Sequence, residues 1–475
     1  MMEQVPAGTP RSLRALAPGL VLPFVIVSVT RTHYAGDIGA FMNWADCLWR
    51  GGGSLYEGCA NYPVVGVLAS GGVVGIIQHA FHLTDQATIA TVFRYYLAFV
   101  DAVQFVLLSV LLRGMGAKRP HLLAFVVMAL PSAWAGGSMW GQIDGVTQVF
   151  LLASLVVLGA GFRAIHDGRL TSSALCLAVG ITCCMLALLT KQLAIFSMPW
   201  LLLAAGVGYV QLARRWRWRG IGVGASALAA ALAACVFLDR TFPVARQFGG
   251  SSLLYVWFGG GSDHDRVISA SGFNLWMLLG RAMDSSSMIP FHIIRIGGVA
   301  IPLTPNQCGK VLFVMASMGL LFLYAGAQGG RAWLREPARP FAQGERARFL
   351  ALLGFAAGLE NLIANVTLVG THERYLYHGY PMLLLACLYL WQEPRRLVDG
   401  RVLALLLASA GCYGGFVYSV IGDLPWFLFP LRRHELMATL HIVLLVFLLD
   451  AIRSVAGRAG RAVPLDRPTG AGYRA

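Results

Sequence analysis

Side chains able to take a proton, hold an anion or fix a polar ligand are sparse in this chain, and they fall in a few separate stretches. Asp37 and Asp46 come first, with Asn61-Tyr62-Pro63 soon after. The run Trp140-Gly141-Gln142-Ile143-Asp144, the pair Lys191-Gln192 and the run His372-Glu373-Arg374-Tyr375 follow. Between the last two lie Asp263-His264-Asp265 and Asn274-Leu275-Trp276. A carboxylate within hydrogen-bond reach of a hydroxyl can act as a general base. An arginine fork matches the oxygens of a phosphate. Each residue also has a plainer reading. Asp37 stands before an amphipathic stretch, where Asp is an ordinary helix start. Asp144 suits a helix end, and Lys191 and Arg374 suit cations snorkelling to a membrane interface. His33, His79 and His82 fit interfacial positions better than ligand positions. Lys191 is one of three lysines beside 34 arginines, which sets its identity apart.

The elements that must position these residues are membrane helices. The chain has 475 residues, 57% hydrophobic and 12% charged, with a mean hydropathy of +0.66. A soluble domain carries roughly 25% charged residues, so there is too little charge here to clothe a water-exposed surface. That excludes an ordinary cytosolic enzyme, a disordered chain and a disulfide scaffold. An all-α polytopic bundle is the fold class expected, as one membrane domain over 1–475. Twelve apolar runs predict twelve spans, near 15–30, 92–112, 120–136, 146–162, 172–189, 193–211, 220–237, 309–327, 349–369, 376–391, 402–421 and 436–452. Two long loops remain, 31–91 and 238–308. The Gly-rich stretch Tyr62–Gln78 is too weakly apolar for a span and is expected to lie on or dip into the interface.

Charge sets the expected orientation. With the N-terminus cytoplasmic, most of the 37 Lys and Arg fall in cytoplasmic segments, including Arg113, Arg163, the cluster Arg214–Arg219, Arg331, Arg335, Arg339, Arg346, Arg348, Arg395, Arg396, Arg467 and Arg474. This is the positive-inside bias. The net charge of +15 then needs no nucleic acid to explain it. Both termini are expected in the cytoplasm, and all the chemistry-bearing stretches share the opposite face. That coincidence of side, from segments far apart in sequence, is how a site is built across a helix bundle. The nine cysteines show no metal-site spacing. Cys47 and Cys59 share a polar segment and can pair if it faces an oxidising compartment.

The first loop carries a family resemblance. Gly36-Asp37 opens an amphipathic helix with Trp44 and Ala45, followed by Leu55-Tyr56 and Asn61-Tyr62-Pro63. This resembles GT-C-type membrane glycosyltransferases, and above all the dolichyl-phosphate-glucose glucosyltransferases of asparagine-linked glycosylation and their bacterial relatives. Phe93-Arg94 with Asp101, Gly141-Gln142 with Asp144, Lys191-Gln192-Leu193-Ala194 with Pro199, Asn274-Leu275-Trp276 and His372-Glu373-Arg374 agree in order. The family's Asp-Tyr-Pro-Pro stands here as Asn61-Tyr62-Pro63-Val64, so the acid of that motif is an amide here and its role is not carried over. Its His-Glu-Lys is His372-Glu373-Arg374, which keeps the charge but trades a point cation for a fork.

The resemblance implies transfer of a hexose from a polyprenyl-phosphate donor, with inversion, on the extracytoplasmic face. The acceptor would be a lipid-linked or cell-envelope glycan. Asp37 is the expected general base. Arg374, His372 and Lys191 are the expected phosphate grip. Trp140, Gln142, Asp144, Gln192, Glu373, Tyr62 and Asn274 are expected to bind or shape the substrate. No cofactor or metal is implied, since one phosphate can be neutralised by the side-chain cations. Asp263-His264-Asp265 lies on the wrong face for nucleotide sugars and is discounted as a metal site. Arginine-rich, lysine-poor usage suggests a bacterial inner membrane and an undecaprenyl-type carrier. The rival class is a twelve-helix transporter, which would place ionisable residues mid-bilayer in broken helices. Only Asp101 and Glu360 look intramembrane.

Overall fold

The computed structural model describes residues 9–30, 35–50, 55–56, 59–242, 249–256, 269–270, 272–279, 291–296, 299–329, 341–393, 398–421 and 433–461. His33, the Asp263-His264-Asp265 run and Arg331, Arg335, Arg339, Arg395, Arg396, Arg467 and Arg474 lie outside them.

The fold is an all-α polytopic bundle, and each of the twelve apolar runs is helical. In chain order the main helices are α1 (Thr9–Val29), α2 (Ala35–Arg50), α3 (Val64–Ala80, with a π turn at Leu68–Gly72), α4 (Gln86–Gly114), α5 (Pro120–Ala129), α6 (Asp144–His166), α7 (Leu170–Thr190) and α8 (Met198–Asp239). They continue with α9 (Pro305–Ala327), α10 (Gln343–Thr367), α11 (Gly379–Gln392), α12 (Gly400–Ile421) and α13 (His434–Arg461). Among the described residues, eight helices are long and apolar enough to cross a membrane, by length and composition. That is fewer than the twelve runs, for identifiable reasons. α8 joins two of them end to end and breaks at Arg217, whose φ of +50° is not helical. α5 stops early because Pro131 pushes Leu130 out of the helical region, to ψ 136°.

Local chemistry sets the helix starts. Asp85 accepts from Thr88 N–H at 2.8 Å and caps α4. Thr304 and Gln307 form a capping box at α9, with Pro305 at the first helical position. The stretch over which α10 crosses is wholly buried, making it the bundle's axis, whereas the corresponding stretch of α9 is mostly exposed.

The first loop packs as a unit of its own. Ile38, Phe41, Trp44 and Ala45 are buried along one face of α2, at the spacing of an amphipathic helix. They join Tyr62, Val67, Val74, Ile77 and Phe93 in a second apolar cluster beside the main core. α3 is Gly-rich because it must approach its neighbours closely. A Cβ on Gly66 would collide with the Thr190 carbonyl, and one on Gly71 would strike the Trp44 Cβ at 2.7 Å. Cys47 and Cys59 are joined as a disulfide across this loop.

Candidate active site

One short segment organises the site. Residues 140–144 lie between a π turn (Ala135–Met139) and the start of α6, and three of their side chains reach three distant parts of the chain. Trp140 Nε1 donates to Asp37 Oδ2 at 2.6 Å. Gln142 Oε1 accepts from the Tyr62 hydroxyl at 3.2 Å. Asp144 takes Lys191 Nζ on both oxygens at 2.7 Å. The turn needs Gly141, whose φ is +92° and where a side chain would also meet Ile38 at 3.2 Å. Arg94, buried, holds the segment from below: Nε donates to Ser138 O at 2.9 Å and Nη2 to Thr30 Oγ1 at 2.6 Å.

Asp37 lies in the first turn of α2, not at its cap. Its carboxylate turns out of the helix toward Trp140 and Arg374, whose Nη1 stands 3.7 Å from Oδ2. The Arg374 guanidinium also lies 5.9 Å from the Trp140 ring centre. Both charged side chains keep some contact with solvent, at 19% and 16% exposure. The distance exceeds the 2.7–2.9 Å or so of a tight charged hydrogen bond, so the two form a loose ion pair at a partly exposed edge.

Arg374 is itself docked from behind. It sits in a 3-10 turn, Glu373–Leu376, that follows the two-residue strand Thr371–His372. That strand pairs in parallel with Ser269–Ala270. Asn365 Nδ2 donates to His372 O at 2.9 Å. Asn274 bonds to Leu368 O at 3.3 Å and to Thr371 Oγ1 at 3.2 Å, and Trp276 Nε1 to Thr367 O at 2.8 Å.

These contacts change several expected roles. Asn274 is fully buried, caps the short helix Leu275–Leu278 and braces the Arg374 strand, so it is spent on structure rather than held toward substrate. Lys191, expected at a phosphate, is 3% exposed and turned to Asp144, which is fully buried. Its ammonium also lies 5.4 Å from the Tyr62 ring centre, which covers it. An ammonium bonded to both oxygens of a buried carboxylate has little left to offer a phosphate. Asp144 is likewise engaged rather than open to sugar. His372 lies beside Tyr375, with ring centres 5.4 Å apart. Gln192 begins a 3-10 turn next to Lys191. The Glu373 side chain lies outside the described residues.

Other residues join that the motifs did not flag. His378 is fully buried, with Nε2 3.3 Å from Asp144 Oδ1. Tyr377 donates to Ala133 O at 2.7 Å and accepts from Gln104 Nε2 at 3.1 Å; its hydroxyl is also 3.3 Å from Asp101. The signal was the run itself: Tyr377 and His378 follow within four residues of Arg374, between its turn and the start of α11.

The chain matches no protein-family model and no curated protein sequence. Among solved structures it is similar to ArnT from Cupriavidus metallidurans bound to undecaprenyl phosphate, at 13% identity and a TM-score of 0.39, over 95% of this chain and 78% of that one. It is also similar to the archaeal oligosaccharyltransferase AglB from Archaeoglobus fulgidus, in complex with an inhibitory peptide and a dolichol-phosphate. There the identity is 13% and the TM-score 0.38, over 94% of this chain and 56% of that one. Likeness this loose transfers no residue role.

Proposed function

We infer that the protein is a GT-C-type membrane glycosyltransferase that moves a hexose from a polyprenyl-phosphate donor to a glycan or lipid-linked acceptor. The observation that carries this reading is the open cluster of Asp37, Trp140 and Arg374. A carboxylate and a guanidinium meet there as a loose, partly solvent-exposed pair, each fixed by a separate part of the fold. Asp37 takes the proton of the acceptor hydroxyl as its oxygen attacks the anomeric carbon. The bond from that carbon to the phosphate oxygen breaks, and the electron pair leaves with the phosphate. Arg374, with His372 beside it, meets the leaving phosphate. Trp140 holds Asp37 in place through its indole N–H. The Asp144–Lys191 pair supports the 140–144 segment instead of touching donor.

The position of the open cluster favours an enzyme over a transporter. Asp37 and Arg374 sit on a loop helix and a loop turn, whereas a transporter's ionisable groups belong in discontinuous helices at mid-membrane. The test is lipid extraction from cells lacking the protein. A polyprenyl-phosphate sugar should accumulate there and should clear on re-expression of the wild type, but not of Asp37→Asn. An unchanged lipid-sugar profile in the null strain would remove the assignment.

A further inference from the structure

The far end of the bundle holds a cavity that this chemistry does not use. α6 starts at Asp144 in the site and runs away from it, so Arg163 lies about 28 Å further along, at 1.5 Å per residue. There the ends of α4 and α6 and the start of α10 enclose a space of about 280 Å³. Val110, Val156 and Leu350 form apolar walls, and three arginines from three helices line the rest: Arg113, Arg163 and Arg346.

Helix-end capping does not account for them. Arg113 and Arg163 are in last turns, where a cation complements the terminal carbonyls. At α6, however, Arg215 already donates to the Ile165 and His166 carbonyls, the latter at 3.0 Å. Arg346 has the opposite setting. It is in the first turn of α10, where the helix dipole disfavours a cation, and it is only 5% exposed. Among the described residues, no acceptor pairs with the side chains of Arg163 or Arg346. Two acids stand near, each with a closer partner: Asp167 bonds Arg169 at 2.9 Å and acts on Arg346 only through space, and Glu345 accepts from the Ala342 N–H at 3.0 Å. Arg113 contacts His121 at 2.8 Å, which brings no negative charge. Asp167 offsets one charge in part, but three cations line one cavity, one of them buried, and a bound anion relieves the remaining repulsion and desolvation.

We propose that this cavity binds a phosphate-bearing anion, the headgroup of an anionic phospholipid. The arginine forks take the phosphate oxygens. Val110, about half exposed, and Val156 continue as apolar surface for the acyl chain. The site is separate from the sugar-transfer cluster and stands whether or not that reading does.

The test is isothermal titration of the full chain in neutral detergent with three probes: short-chain phosphatidylglycerol, short-chain phosphatidylcholine and inorganic phosphate. Phosphatidylglycerol should bind at least tenfold tighter than phosphatidylcholine. Arg163→Gln and Arg346→Gln should each weaken it tenfold or more, and Arg346→Lys should weaken it less. Arg163 is exposed, so its substitution leaves the fold intact even if Arg346→Gln does not. Inorganic phosphate binding as tightly as the lipid, and lost in the same variants, would keep the phosphate site but make free phosphate its source. A wild type that binds neither anion, or Gln variants that bind phosphatidylglycerol as well as wild type does, would overturn the proposal.

Discussion

Asp37 and Asp144 are both carboxylates facing a cation, and both are anchored by the same five-residue segment. Their surroundings differ completely. Asp144 is fully buried and takes two hydrogen bonds of 2.7 Å from Lys191, with His378 against it. Asp37 is partly exposed, takes one short bond from Trp140 and stands 3.7 Å from Arg374. A buried pair cannot open without stranding a charge. A loosely paired carboxylate at a solvent-accessible edge can exchange its partner for a substrate hydroxyl. Similar charges are therefore held differently: Asp144 and Lys191 lock the 140–144 segment, and Asp37 and Arg374 form a looser pair at a partly exposed edge.

The sharpest way to break this contrast is to remove one partner on each side. Lys191→Met strips buried Asp144 of both 2.7 Å bonds and leaves only His378 against it, and is expected to cost up to roughly 3–5 kcal/mol of stability. Denaturation of detergent-purified protein in SDS reads this directly. Lys191→Met with Asp144→Leu should recover most of it, because replacing both charges with apolar groups is often neutral. If Lys191→Met were as stable as wild type but lost donor binding, Lys191 would return to the phosphate. Asp37→Asn should behave the other way round. The amide can still accept from Trp140, so the fold stays, while transfer falls about 100-fold or more with the base gone. Near wild-type transfer by Asp37→Asn would move the base to another acid, with Asp46 first in line.

Much of the architecture was legible in sequence. Apolar runs of about 20 residues mark helices, and the arginine cluster at 214–219 marks the break that the backbone makes at Arg217. The buried face of α2 follows from the spacing of Phe41, Trp44 and Ala45. Helix number was less legible, because Pro131 and the end-to-end joining in α8 change helix lengths without changing hydropathy. Within the site, sequence marks which residues are costly to keep in a membrane protein but not which of them meet. Trp140 finds Asp37 across 103 positions, and Lys191 finds Asp144 across 47. A lysine beside a helix end looks the same in sequence whether it meets a phosphate or a buried carboxylate. Asn274 makes the same point: it bonds Leu368 O and Thr371 Oγ1 here, and an amide bonding backbone and an amide bonding sugar have one spelling.

The exposed side of the contrast can be sharpened at Arg374. Arg374→Ala removes charge and fork together, and transfer from the polyprenyl-phosphate sugar should fall about 10- to 100-fold, from the loss of roughly 1.5–3 kcal/mol. Arg374→Lys keeps the charge and should lose less, since fork geometry is the smaller part. Initial rates at varied donor concentration check this. Full activity in Arg374→Ala would place the phosphate elsewhere, with His372 next in line.

Trp140→Phe probes the smallest difference, between holding the base and touching the sugar. The indole N–H is the short bond to Asp37, and the ring is 3% exposed. Phe keeps a ring near the Arg374 guanidinium but removes the donor. Asp37 then relies on Arg374 alone, which stands further off. Losing one charge-assisted bond while a second partner remains should cost about tenfold in rate, or about 1.4 kcal/mol. The buried ring also packs in the main core, so a smaller ring lowers stability somewhat, and the melting curve must be measured beside the rate. The two roles separate in the kinetics. If Trp140 positions the base, kcat falls while KM for donor and acceptor holds. If its ring stacks on a substrate sugar, KM rises with kcat little changed. A KM effect alone would return Trp140 to substrate binding and leave Arg374 as the only group holding Asp37.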